Sequence, residues 1–222
     1  MRITPLDIQQ KQFSKAFVQE KAVYRRNSES LQGLINLAVL ANEQKAYKTA
    51  LNVFEYIIQN STDQRTLILA NCKFLEIQLD ISTDSKSYQD IKASYIMLLD
   101  RYQLGQHSVE LQLSYVHFLA YYDNNVKGAT TFLKTALKEN LSEQTAAKLK
   151  MKLADLFVVQ NKFNQALVYY TQIQMAVKNS ALAQQARFKV AKTSFYKGDF
   201  DWAETQLKVL KSSASQLTAN DA

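Results

Sequence analysis

Apolar side chains return every three or four residues along most of the chain, which is the spacing of one face of an α-helix. Polar breaks divide this pattern and predict eleven helices, at about 5–26, 28–43, 46–60, 63–80, 86–102, 107–122, 126–139, 143–160, 163–178, 180–197 and 200–212. The connections are short, as stacked helical hairpins require. No linker or low-complexity tract interrupts them, so the expected fold class is all-α.

A longer period underlies the helical one. Alanine recurs three residues after an aromatic or apolar residue at Phe13/Ala16, Tyr47/Ala50, Val126/Ala129, Phe163/Ala166 and Phe200/Ala203. The alanines are 34, 79, 37 and 37 residues apart, and the long interval holds one further unit with Ile91 in the alanine's place. Four and seven residues beyond these positions stand Phe54/Ile57, Tyr95/Leu98, Leu133/Ala136, Tyr170/Ile173 and Leu207/Leu210, all at helical spacing. Twelve residues before the alanine stands Ala38, His117, Ala154 or Ala191. Each unit therefore reads as two helices crossing at small residues, where their axes can approach closely. His117 is the exception in size.

These units resemble the tetratricopeptide repeat. One reads Leu34, Leu37, Ala38, Ala41, Ala50, Phe54, Ile57; a second reads Leu153, Ala154, Phe157, Ala166, Tyr170, Ile173; a third reads Val190, Ala191, Ser194, Ala203, Leu207, Leu210. The resemblance covers about residues 13–212, and the second half in particular is similar to segments of long multi-repeat bacterial proteins of that family. It implies a right-handed α-solenoid of antiparallel helix pairs with about five to six units. It departs from the family in lacking the tryptophan of helix A and the proline that often closes helix B. The unit near 62–102 is longer, with a Ser/Asp-rich bend at 81–87.

The expected organisation is a capping helix or half repeat over 1–27, the array over 28–212, and a further helix start or disordered tail over 213–222. Thr4-Pro5-Leu6-Asp7 carries an N-cap, a proline at the first helical position and an acid at the third. Residues 2–17 are also similar to the opening of DivIVA-type membrane-curvature proteins, although Val18-Gln19-Glu20 replaces that family's membrane-contacting Arg-Gly-Tyr. No long polar helix follows Lys211 to close the stack, so the array is expected to continue or to self-associate through that end.

Composition removes many functions. With 4 Gly, 1 Pro and 1 Cys, the chain cannot supply glycine-rich hairpins, an internal disulfide or a cysteine zinc site. No phosphate-cradling glycine loop is present. Neither His107 nor His117 has metal-ligand spacing to another ligand type, and no nucleophile motif occurs. Cys72 reads as a small core residue among leucines. The chain is thus expected to be non-catalytic, without metal or cofactor. No apolar run is long enough to span a membrane as a helix, and the start has no leader-like segment. The default compartment is the cytoplasm, with an exported or periplasmic protein as the alternative if the chain is a section of a longer one.

Charge is uneven. Residues 1–111 hold 13 Lys/Arg and 12 Asp/Glu, whereas residues 112–222 hold 14 and 8. The excess in the second half points to an acidic partner, either a peptide or a nucleic acid. In tetratricopeptide arrays, helix A lines a groove. The resemblance implies partner-binding candidates Asn36 and Asn42 in the first unit and Tyr115 and Tyr122 in the 110–122 helix. Lys148, Lys152 and Asp155 follow, then Lys189, Lys192 and Tyr196. The same positions also include Ser114, Phe118 and Tyr121. The carboxylate clamp of one family subtype needs Lys and Asn where this chain has Ile35 and Val39, which disfavours that activity. A nucleic-acid-binding solenoid remains the alternative. It is disfavoured because the candidate residues do not repeat from unit to unit and Arg187 is the only arginine of the second half.

Overall fold

The computed structural model describes residues 12–26 and 31–211. Among them are eleven α-helices and no strand: α1 (Phe13–Arg26), α2 (Gln32–Glu43), α3 (Tyr47–Asn60), α4 (Gln64–Ile81), α5 (Ser85–Tyr102), α6 (Val109–Tyr121), α7 (Val126–Ala136), α8 (Glu143–Val159), α9 (Phe163–Ala176), α10 (Ala181–Lys197) and α11 (Phe200–Lys211). A 3₁₀ turn, Gln106–Ser108, precedes α6. The all-α, paired-helix expectation holds. The candidate cap at residues 4–7, the DivIVA-like opening up to residue 11 and the tail 213–222 lie outside the described residues.

The chain divides into two compact units at Arg101 and Tyr102. In the first, α1 packs on both α2 and α3, and α3 on α4. Phe13 and Ala16 of α1 join Leu34, Leu37, Ala38, Ala41, Ala50, Phe54 and Ile57 in one core. Ala38 and Ala50 are wholly buried, as the crossing of α2 and α3 demands. Asp63 caps α4 by accepting from Thr66 N at 2.7 Å. The Ser/Asp-rich bend holds Asp84, which accepts from Ser87 N at 2.9 Å. Cys72 is buried.

In the second unit, α6 pairs with α7, α8 with α9 and α10 with α11, while α8 also touches α6 and α10. Thus the first helices of three successive pairs lie side by side. Ala154, Ala166, Ala191 and Ala203 are buried at the crossings. Ser142 and Ser180, both in extended backbone, cap α8 and α10.

The turns inside the pairs share one construction. The residue before the last of each turn adopts a left-handed backbone at Lys45 (φ 59°), Asn124 (φ 49°) and Asn161 (φ 58°), and Gly198 (φ 88°) does so in the shorter last turn. This is the usual way of reversing the chain after a helix. A backbone bond then closes five residues back, from Ala46 N to Ala41 O, Lys162 N to Phe157 O and Asp199 N to Ser194 O. The α6–α7 turn differs, because Asn125 N reaches six residues back to Leu119 O, at 2.7 Å. One extra residue has been fitted between α6 and its left-handed residue.

That residue corrects the sequence reading of α6. Counting twelve back from Ala129 puts His117 at the crossing, but His117 is exposed. Val116, one residue earlier, is 0% exposed and takes the crossing position.

Candidate functional site

The outward positions of α6, α8 and α10 form one continuous face of the second unit, joined by three cross-helix contacts. Lys148 Nζ of α8 donates to Glu110 Oε1 of α6 at 2.8 Å. One turn further on, Lys152 Nζ lies 5.0 Å from the centroid of the Tyr121 ring, a cation–π contact between the same two helices. On the other side of α8, Lys189 Nζ of α10 donates to Asp155 Oδ1 at 2.6 Å.

Asp155 is held from below as well. Tyr170 of α9, almost fully buried, donates its hydroxyl to the same Oδ1 at 2.5 Å. Burial, the Asp155 charge and this hydrogen bond together push the Tyr170 phenol well above its ordinary range, so it remains a neutral donor. Asp155 is thereby fixed between a phenol and an ammonium.

Lys152 stands differently. It makes no salt bridge among the described residues, and burial lowers its pKa. Asp155 opposes that shift, and the nearby Lys189 charge adds to it. A half-buried ammonium in this position gains from a further anion, because its desolvation is only partly offset by Asp155 and the Tyr121 ring. Lys192 is exposed one turn beyond Lys189. The face therefore offers Lys148, Lys152, Lys189 and Lys192 against only Glu110 and Asp155.

Most sequence candidates of the second unit lie on this face, and one lies in the core. Lys148, Lys152, Asp155, Lys189, Lys192 and Tyr196 lie on the face. Tyr115 does not: it is buried, edge-on to Phe132 with centroids 5.1 Å apart. Tyr122 is half-buried and stacks on Phe118 at 6.5 Å. Tyr115 is turned inward, and Tyr122 partly so, for the same reason. The extra residue before α7 moves the register of α6 by one, so Glu110, His117 and Tyr121 face outward instead. Tyr121 was among the pattern positions; Glu110, His117 and Tyr170 were not. The helical charge pattern does not mark Glu110 because its partner is 38 residues away. In the first unit, Asn36 is exposed and accepts from Gln32 Nε2 at 2.8 Å. Asn42 is half-buried, with Oδ1 buried and accepting no hydrogen bond among the described residues.

Among the described residues, no helix is long and apolar enough to cross a membrane. No protein-family model matches the sequence, and no curated protein does. Solved structures do match in fold. BtubC (BKLC) from P. vanneervenii superposes with a TM-score of 0.68 at 13% identity, over 94% of this chain and 90% of that one. PilW, a type IV pilus biogenesis factor, gives 0.64 at 13% identity over 97% and 92%. TTC0263, a tetratricopeptide protein of Thermus thermophilus, gives 0.59 at 13% identity over 82% and 91%. The DivIVA-like opening gains no support from these matches. Together with the paired helices and their small-residue crossings, the matches show that this chain has the tetratricopeptide-repeat fold.

Proposed function

We propose that the protein is a non-catalytic interaction scaffold, and that the α6–α8–α10 face holds an acidic segment of a partner protein. The observation that carries this reading is Lys152. It is a half-buried ammonium with no salt bridge among the described residues, set between the Tyr121 ring and the Asp155–Lys189 pair. A carboxylate held there would pair with Lys152 and with the exposed Lys192, while Tyr121 offers stiff contact area at small entropic cost. A nucleic acid is not favoured, because Glu110 and Asp155 interrupt the lysines where a phosphate row would run.

Capture of partners from the native host, followed by mass spectrometry and repeated with Lys152→Glu, Lys189→Glu and Lys192→Glu combined, tests the reading. The expected outcome is loss of specific partners by a variant that circular dichroism shows to be folded. Undiminished capture by the folded variant removes the face from consideration. Capture lost on nuclease treatment points to nucleic acid instead.

A further inference from the structure

Beyond Lys192 the same stripe of α10 changes character. Lys189, Lys192 and Tyr196 follow one another at helical spacing, with Phe195 beside Tyr196. Phe195 is 59% exposed, Tyr196 52% and Phe200, at the start of α11, 59%. The three form one cluster centred on Phe195, whose ring centroid lies 6.4 Å from Tyr196 and 5.3 Å from Phe200. Both pairs are edge-to-face, with interplanar angles of 67° and 64°. The Gly198 turn brings the Phe200 ring back against α10. In the preceding pair, Val158 and Val159 stand where Phe195 and Tyr196 do, 37 residues later. Isolated exposed apolar residues are ordinary, but three contiguous aromatic rings are not.

We infer that this cluster is a second subsite of the face, taking one large apolar side chain of the same acidic segment. The inference rests on the groove reading above and names the partner more closely. The charge of the face selects the acidic part, through Lys152, Lys189 and Lys192. The rings accept an aliphatic or aromatic side chain at their edges. Spacing fixes the relation between the two. Lys189 is occupied by Asp155, so the spacing runs from the exposed Lys192, which is separated from Phe195 by about 4.5 Å along α10 at 1.5 Å per residue. An extended segment covers that distance in about one to two residues. The partner segment thus carries an Asp or Glu and, one or two positions away, a Phe, Trp, Tyr, Leu, Ile or Met.

The test is a selection of random twelve-residue peptides displayed on phage against the immobilised full chain. The enriched peptides are then synthesised and their affinities measured by fluorescence anisotropy. Wild type, Phe195→Ser/Tyr196→Ser and Lys152→Glu/Lys189→Glu are compared. All four side chains are at least partly exposed, and circular dichroism checks that each variant is folded. The expected result is enrichment of the acid-plus-apolar pair, with at least tenfold weaker binding to either double variant. Replacing the peptide's apolar residue by Ala should cost wild type the same factor and the ring variant nothing. Peptides sensitive to the lysine variant but not to the ring variant overturn the subsite and leave the groove reading standing. Peptides indifferent to the lysines overturn both. Enrichment without the spaced pair, or a concentration-dependent dimer abolished by Phe195→Ser, also overturns the subsite, the latter in favour of a second copy as occupant.

Discussion

At the scale of single residues, Lys152 and Asp155 show how one face can hold a poised and a committed charge side by side. Asp155 is committed to Tyr170 and Lys189, whereas Lys152 bears a burial penalty. Its folded pKa lies below the ordinary lysine value of 10.5. The folded state therefore binds fewer protons than the unfolded one between those two values, and stability rises with pH across that window. Lys152→Met should accordingly be more stable than wild type at neutral pH, with the difference shrinking as pH approaches the unfolded value. Denaturant midpoints of both proteins from pH 7 upward read this out, and a difference that does not change with pH would contradict it. Tyr170→Phe should cost about 1–2 kcal/mol, as for a hydrogen bond to a charged acceptor that is partly exposed. A thermal midpoint equal to wild type would show that Asp155 does not depend on the phenol.

At the scale of elements, the lesson lies in which positions the periodicity could place. Ala38, Ala154 and Ala191 were legible as crossing residues because the turn after each one keeps the count to the next alanine. His117 was misplaced because a count along the sequence cannot see one extra residue in a turn. Asn124 with its left-handed backbone marks that turn in the structure, but an asparagine in a loop has many other uses. The correction is testable. Val116→Ala should cost about 2 kcal/mol, as expected for methyl groups lost from a closed crossing. His117→Ala should change stability little. The reverse ranking in thermal unfolding would restore the original register. The site was legible in part for the same reason. The lysines of α8 and α10 follow regular turns and are at least partly exposed, as their positions in the repeat predict, whereas the aromatic positions of α6 precede an irregular turn. Tyr170 was legible only as a core aromatic, because its hydroxyl finds Asp155 fifteen residues earlier on the neighbouring helix.

At the scale of the whole molecule, stability in a repeat fold is the sum of units and their nearest-neighbour contacts. Ala166 is wholly buried where α8 and α9 cross. Ala166→Leu should overpack that crossing and cost about 1–3 kcal/mol. Hydrogen exchange should then quicken in α8, α9 and α10, which touch one another, and stay near wild-type rates in α1–α3. Uniform acceleration through the chain would indicate one cooperative unit instead. The extra residue between α6 and α7 has a consequence on a different timescale. Inside a helix one added residue turns everything after it by about 100°, whereas this turn takes one up and leaves a buried residue, Val116, at the crossing, so a single-codon insertion can reset a repeat's surface or leave it as it was according to where it falls. Surfaces in such a protein can diversify by changes of length as well as of letter, and comparisons that score only substitutions will miss that route.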